Sequence, residues 1–579
     1  MENKVNVSIN IEGTDITHFS TFKLVQRFNE HHSFELRFDY DQIETLGTLS
    51  LDKSKNFVGK NISIGFGSAP GQEQVFIGKI TRVEFAHSNG YQGELVISGY
   101  SPTILLERGP DLGSYLGKNL QSIISQATAD APSNDLSMQI KPVHTANIDY
   151  IMQYRESDFA FLNRLSAEYY EWFFYDGMNL VFGKPDKQKE VSLTYGRNLH
   201  TLQYAMQVAP LKYDKYAYNP KQDQLLTSQP SGASGSSPDT SFAINASNQM
   251  FSKTYSQPLS VRVDSKEQID EFVNNEQKAL ISELVHVSGS GDEPLVAIGS
   301  ILNITSSTRS INNFEEQSFG KFLVTSVYHQ VDDVGHYQNT FEAVSADTER
   351  LQVKQAEKPF ADMQLATVLD NDDPQKQGRI KVQFKWQCTS NDPTEWLRVM
   401  SPNAGHGDTG KNRGFLVVPE KGDQVIVGFE EGNIARPVVM GSVYHSNNVD
   451  SGGFTNSNIK GMMSRKGSNL TFNDAEHALS LATSLSNMIH VDEQAGSIQA
   501  TAASNITHKT GENLIEIKTD GGSIKLNAKT SITIQSGASS ITLNTNGTIS
   551  IKGNIFTVEA KNNHIQGESK LDGGNVFIN

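Results

Sequence analysis

The last 110 residues, 470–579, constrain this chain most, because they repeat one unit too small to fold alone. Apolar residues recur in pairs two apart: Leu470/Phe472, Leu479/Leu481, Ile489/Val491, Ile498/Ala500, Ile506/His508, Ile515/Ile517, Ile524/Leu526, Ile532/Ile534, Ile541/Leu543, Ile549/Ile551 and Phe556/Val558. The first members follow at intervals of 9, 10, 9, 8, 9, 9, 8, 9, 8 and 7 residues. A period of two is the strand period, since successive side chains point to opposite faces. Gly, Asn, Ser and Thr fill the gaps, as at Gly521-Gly522, Ser536-Gly537 and Asn546-Gly547, and these are turn formers. Each unit therefore predicts one short strand and a corner, with two side chains facing inward. Such a unit closes a core only by stacking on copies of itself, in its own chain or in others. At ~4.8 Å per strand, the stack makes a rod of roughly 50 Å. The period leaves a passive spacer and a mechanical shaft open, and equally a single-chain β-helix and a three-chain prism.

The whole chain, at 579 residues, is long enough for several domains. Its net charge of −16, with no Lys/Arg cluster, argues against a nucleic-acid-binding surface. No apolar run approaches the ~18 residues of a membrane span. The opening Met1-Glu2-Asn3-Lys4-Val5-Asn6-Val7 lacks the apolar core of a signal peptide. The single cysteine, Cys388, rules out a disulfide within the chain and fits folding in the cytosol.

Up to about residue 105 the chain alternates as antiparallel strands do, for example Val5/Val7/Ile9/Ile11 and Phe34/Leu36/Phe38/Tyr40, with turn signals such as Ser88-Asn89-Gly90. This predicts a β-barrel or sandwich. A helix is expected with Leu116, Leu120, Ile123, Ile124 and Ala127 on one face, and a second over 156–165 with Ser157 as N-cap. The aromatic run Tyr169-Tyr170-Glu171-Trp172-Phe173-Phe174-Tyr175 has no basic groove beside it, so core packing is expected rather than base stacking. Residues 227–241 read as a flexible surface loop by composition. A third helix is expected from Ser265 to about Val285, capped by Asp264, before strands at 301–304, 322–327 and 341–344 make a second barrel.

Residues 361–447 predict a five-strand barrel of the OB type. Its strands are expected at 365–369, 379–386, 396–399, 415–419 and 423–429, with 436–444 following.

The run Val368-Leu-Asp-Asn-Asp-Asp-Pro374, Gly378-Arg379-Ile-Lys-Val382, Phe384-Lys-Trp386, Pro419-Glu-Lys-Gly-Asp-Gln-Val425 and Arg436-Pro437-Val438-Val-Met-Gly441-Ser442 resembles the OB domain of the VgrG family, the spike proteins of bacterial type VI secretion systems, related to phage spike gp5. Gln153-Tyr154-Arg155-Glu156-Ser157-Asp158-Phe159, and Ser98-Gly99-Tyr100-Ser101-Pro102-Thr103, are similar to that family's hub, which resembles phage gp27. The resemblance implies a mainly β chain with a few helices. A hub of two β-barrels would occupy 1–355, an OB neck 361–447, a linker 448–469, and a needle 470–579 built as an intertwined trimeric β-helix or prism. In such a homotrimer each chain's strands pair with its neighbours', which leaves no free edges along the shaft.

It implies as partners the hexameric Hcp tube, baseplate components, a PAAR-repeat tip protein, and effectors or their adaptors; no nucleic acid and no stable membrane insertion are expected. The protein would be cytoplasmic while on the baseplate. On contraction of the sheath it would be secreted, without a signal peptide, into the extracellular space or a target cell. The sequence ends as the family's blunt end does, and Gly573, Gly574, Asn575, Val576, Phe577, Ile578 and Asn579 are the expected platform for the tip.

Catalysis, cofactors and metals are not expected. Phage gp5 carries a lysozyme domain between its OB and needle parts, whereas here some 25 residues separate Tyr444 from Leu470, too few for one. Asp370-Asn371-Asp372-Asp373-Pro374 begins like a calcium loop but has Gln375 where glycine is required, so it reads as a turn. His406-Gly407-Asp408 also reads as a turn, with no paired nucleophile evident. The fifteen histidines form no metal-ligand cluster. His508 takes an inward slot, where three copies would meet on an axis and hold an ion or water, or would simply be hydrogen-bonded in the core. Two other readings remain: the hub-spike of a phage or other contractile particle, and a tail-spike glycan hydrolase. The hydrolase would need carboxylate pairs along repeats that carry only the isolated Glu516, Glu559 and Glu568.

Overall fold

A computed structural model gives the fold. It describes residues 4–573 apart from 46–49, 70–71, 88–92, 233–234, 236, 310–313, 354–355, 409, 450–455, 486 and 512–513. The Ser88-Asn89-Gly90 turn signal lies outside the described residues. The chain divides into two compact units, residues 1–450 and 451–579.

Alternation builds the first barrel. In Ser33–Asp39 every second residue, Phe34, Leu36 and Phe38, is buried. Thr21–Arg27, Ser33–Asp39, Gly93–Tyr100, Gln72–His87, Asn61–Ala69 and Asn6–Ile11 pair antiparallel in that order. The second barrel runs Ile301–Arg309, Glu190–Tyr195, Leu199–Met206, Val285–Gly291, Tyr337–Ser345, Phe314–Asp332, and the last of these pairs back with the first to close the ring. Phe314–Asp332 is 19 residues long, and its C-terminal part pairs with Thr21–Arg27. One strand thus belongs to both barrels and fuses them into a single 13-stranded sheet with a core on each side. Where the barrels meet, a buried polar string crosses the seam. Tyr337 Oη lies 2.7 Å from His329 Nδ1, His329 Nε2 lies 3.1 Å from Gln26 Oε1, and Gln26 Nε2 lies 3.2 Å from His32 Nδ1. Burial lowers both imidazoles to about 3, so they are neutral at pH 7.

The helices follow their caps. Ser157 Oγ accepts the Ala160 N–H and starts Asp158–Tyr169, and Asn119 starts Leu120–Ala127. Leu116, expected on that helix, sits on the strand Asp111–Lys118 instead. Lys266–Ser282 is capped by Ser265, not Asp264, whose carboxylate is occupied by Lys221 Nζ at 2.6 Å. The 227–241 stretch is only partly a loop. Residues 227 and 228 end the strand Gln224–Ser228, and a helix, Pro238–Met250, begins inside the stretch. Composition concealed the start signal: Ser237 caps and Pro238 occupies the first turn, where its missing N–H costs nothing. Trp172, Phe173, Phe174 and Tyr175 of the aromatic run are buried in the hub cores.

The OB segment is not a separate body. Strand Ile148–Glu156 turns Ile151 toward the hub core, while Tyr150, Met152 and Tyr154 belong to the cluster that holds Ala366, Val368, Val382, Val425 and Val439. Tyr154 Oη accepts from Asp362 N and Gln364 Nε2 at 3.3 and 3.0 Å. A second weld lies at Ser114, which pairs with Asn391 in parallel and donates its N–H to Ser390 O at 2.8 Å. The motif around residue 153 is this joint. Tyr154 enters the OB core, Glu156 pairs with buried Arg164 at 2.7 Å, Ser157 caps the helix, and Asp158 accepts from Gln153 at 3.0 Å.

The OB sheet itself has four strands, ordered Lys381–Phe384, Gln364–Asp370, Gln424–Phe429, Pro437–Val443. The segment expected as a strand at 396–399 contributes only single bridges, Ile380 to Leu397 and Val399 to Val439. The strand expected at 415–419 is not formed, and Leu416 and Val417 are 75% and 71% exposed. Hydrogen bonding passes instead to the hairpin of Ala404–Gly407 with Gly410–Gly414. His406 and Gly407 belong to that hairpin's first strand and Asp408 to its turn. The Asp373 carboxylate takes Arg379 Nη2 and Nε at 2.8 and 3.0 Å, with the backbone N–H of Gln375 and Gln377. Those donors hold it well below the usual carboxylate range, chiefly through Arg379, and make this a turn closed on its own arginine.

Candidate assembly surface

In residues 451–579 the repeats form sheets with one apolar face. Ile459–Met463, Asn469–Asn473, Ala478–Ala482, Met488–Asp492 and Ser497–Thr501 pair as an antiparallel meander. The first strand starts inside the stretch expected as linker. Register sets Leu470 opposite Leu481, Phe472 opposite Leu479, Leu481 opposite Ile489, and Val491 opposite Ile498. The predicted pairs therefore make a continuous ladder on one face. Thr471, Ser480, His490 and Gln499 line the other, where Ser480 Oγ lies 2.7 Å from His490 Nδ1. Gly467 and Gly496, at φ +83° and +60°, make two of the reversals and adopt the left-handed backbone without a Cβ penalty. A second sheet, Ser531–Ser536, Ser539–Asn544 and Ile549–Lys552, repeats the pattern with Ile532 opposite Leu543 and Ile534 opposite Ile541.

Among the described residues these ladders are incompletely covered. Leu481, Ile489, Ile498 and Ile534 are all more than half exposed. Two separate compact bodies of these lengths would expose roughly 24,000 Å². The chain exposes 34956 Å². All of the strand pairing in the described part of this unit is between sequence neighbours. The pairs Ile506/His508, Ile515/Ile517, Ile524/Leu526 and Phe556/Val558 lie on no strand, and His508 is exposed. Of the expected tip platform, Gly573 is exposed, while Gly574, Asn575, Val576, Phe577, Ile578 and Asn579 lie outside the described residues.

Among the described residues there is no group of three or more His, Cys, Asp or Glu side chains placed to hold a metal ion. One string has the outline of a hydrolytic triad: His31 Nδ1 lies 2.7 Å from Thr103 Oγ1 and Nε2 lies 3.2 Å from Glu107. Thr103, however, is 1% exposed and also bonded to Ser101 Oγ, so the string braces a corner of the first barrel.

A double-barrel hub welded to an OB barrel, followed by stacked short strands with an open apolar face, defines a hub-and-spike protein of contractile injection machinery. The chain belongs to the phage tail baseplate hub (GPD) family, whose model matches residues 32–335, more than half of its 579. The Type VI secretion system/phage-baseplate injector OB domain matches residues 364–444. The type VI secretion system spike protein VgrG5 of Pseudomonas aeruginosa is 27% identical over 350 residues, 54% of this chain and 42% of that protein. The chain therefore spans about two fifths of that relative's length. The actin cross-linking toxin VgrG1 of Vibrio cholerae is 35% identical over 75 residues, 12% of this chain and 6% of the toxin. A Francisella PdpA-VgrG complex structure shares the fold at TM-score 0.54 and 9% identity, over 86% of this chain and 80% of that one. The VgrG resemblance read from the sequence stands, and with it a spike or hub role.

Proposed function

We propose that three copies of this chain assemble through residues 459–552 into a rigid spike that caps an Hcp-type tube and is driven through a target membrane when a sheath contracts. The observation that carries this is the pair of uncovered apolar ladders. Burying one large apolar side chain is worth about 1.5–3 kcal/mol, so closing three ladders on one another supplies a large association energy. An antiparallel meander also shows free edges and one greasy face, a liability in a lone chain and a template in a closed trimer. In this reading the hub, with two barrels per chain, presents six similar units to a hexameric tube. The end at Gly573 to Asn579 seats a PAAR-type tip, and effectors or their adaptors travel with the spike. The protein itself makes no bond change. It waits on the baseplate in the cytoplasm and leaves on firing.

The mass of the purified protein in solution tests the assembly: three chains are expected, and a well-folded single chain ends the reading. Removal of residues 573–579 is expected to abolish binding of a PAAR-type tip while the trimer survives, and unchanged binding removes the platform assignment. The second reading is the hub-spike of a phage tail, favoured by the family that matches most of the chain. Neighbouring genes for a tube of the Hcp type or for a capsid decide between them.

A further inference from the structure

A cluster of five charges spans the seam between the hub and OB segments. Lys221 lies in the turn between Tyr213–Asn219 and Gln224–Ser228, and its carbonyl accepts Gln377 Nε2 of the OB segment at 2.8 Å. Its ammonium reaches three carboxylates: Asp264 at 2.6 Å, Asp149 at 3.3 Å and, across the seam, Glu395 at 3.7 Å. Arg262 pairs with the same Glu395 and stands 3.8 Å from Asp264. Two cations therefore face three acids, and one negative charge is left over.

The surplus falls on Asp149. Glu395 is 8% exposed and faces both cations, while Asp264 takes the shorter contact to Lys221 and has Arg262 beside it. Asp149 takes the longer contact, is 56% exposed, and its carboxyl meets that of Asp264. Two carboxylates in contact repel when both are ionised and share a hydrogen bond when one is protonated. That hydrogen bond, with burial behind it, raises the Asp149 carboxyl above its ordinary range. Burial opposes ionisation of Asp264, but the bond from Asp149, with Lys221 and Arg262, outweighs it and keeps Asp264 low. The other charges nearby are closed on partners. His144, which lines the same small cavity as Asp149, faces Glu271 at 3.3 Å. Arg379 and Arg398, close to Arg262, are held by Asp373 and Glu430.

We propose that this cluster is a proton latch on the hub–OB seam. As pH falls from neutral, Asp149 takes up a proton and donates it in a hydrogen bond to Asp264, which leaves Lys221 and Arg262 balanced by Asp264 and Glu395 across the seam. Asp149 thus acts opposite to an ordinary salt-bridged acid: its contribution is full below the usual carboxylate range and is lost as pH rises. The latch lies within residues 1–450, so it stands whether or not the chain forms a trimer.

The test is the melting temperature of residues 1–450 within the intact chain, compared between the wild type and Asp149→Asn from pH 4 to pH 8. The amide cannot ionise but can still donate to Asp264. At pH 8 the variant is expected to melt about 1–2 °C higher than the wild type. The gain should vanish toward pH 4, where Asp149 is itself largely protonated. Asp264→Asn, which takes the inner carboxylate from Lys221 and Arg262, should melt lower than the wild type at pH 8. In a Glu395→Gln background the surplus acid is removed from the OB side, so Asp149→Asn should bring no gain, which ties the latch to the seam. Asp149 is exposed, so its pH profile decides even where Glu395→Gln folds poorly. An unchanged or lower melting temperature for Asp149→Asn at pH 8, a gain that does not change with pH, or a gain that survives Glu395→Gln overturns the assignment.

Discussion

Residues 1–450 and 451–579 use the same two-residue alternation and reach opposite outcomes. In the first unit each strand's apolar side chains meet those of another layer, as Phe34, Leu36 and Phe38 do in the hub. In the second, among the described residues, Ala478 is the only apolar side chain that counts as buried, while Leu481, Ile489 and Ile498 stand open on a well-registered sheet. Strands pair in both units, and their apolar faces are covered in one. Pairing needs only a neighbouring strand, whereas a core needs a second layer, and five-residue strands joined by short turns cannot fold back to provide one.

The sharpest way to break that contrast is to charge the open ladder. Leu481→Asp with Ile489→Asp places two carboxylates opposite each other at the centre of the face. Loss of assembly is expected, seen as a fall to single-chain mass by light scattering, while the first unit keeps its own unfolding transition. A full-size assembly from this variant would mean that the ladders do not make the contact.

Acid should act on the first unit. His32 and His329 are lowered from 6.5 to about 3 by burial, so between those values the unfolded chain binds more protons than the folded one. Stability is then complete above about pH 6.5 and falls as pH drops toward 3, by on the order of 4 kcal/mol for each imidazole. Asp373, also depressed, pulls the same way at the acid end. The melting temperature of residues 1–450 within the intact chain should drop steadily from pH 7 to pH 4; a flat profile would deny the buried string its role.

Tyr154→Ala examines the weld between hub and OB segments. Truncating a buried aromatic costs about 3–5 kcal/mol. Both segments are expected to destabilise together in a single urea transition. Separate transitions would show two bodies where the structure shows one shared cluster. The smallest effect belongs to the cap: Ser157→Ala should cost about 1 kcal/mol, with the assembly unchanged.

Much of this was legible in advance because it is local. The cap at Ser157, the buried face of Leu120, Ile123 and Ile124, and the ladder pairs of the last unit depend on spacing within a few residues. The helix Pro238–Met250 was missed because Ser and Gly dominate its approach, and the cap at Ser265 was placed one residue early because Asp and Ser both cap well. The strand expected at 415–419 failed for a different cause. An apolar run states that a segment avoids water, not which surface will shelter it: Val418 packs against the OB core, while Phe415, Leu416 and Val417 stay exposed.

The sequence by itself determined the alternation, the turns and the two-faced character of the last unit, since each follows from the geometry of a single strand. Only the tertiary structure decided that Phe314–Asp332 serves two barrels and that Tyr150, Met152 and Tyr154 feed the OB core. Those are contacts between residues up to hundreds of positions apart. Their partners are chosen by packing, which no local period encodes.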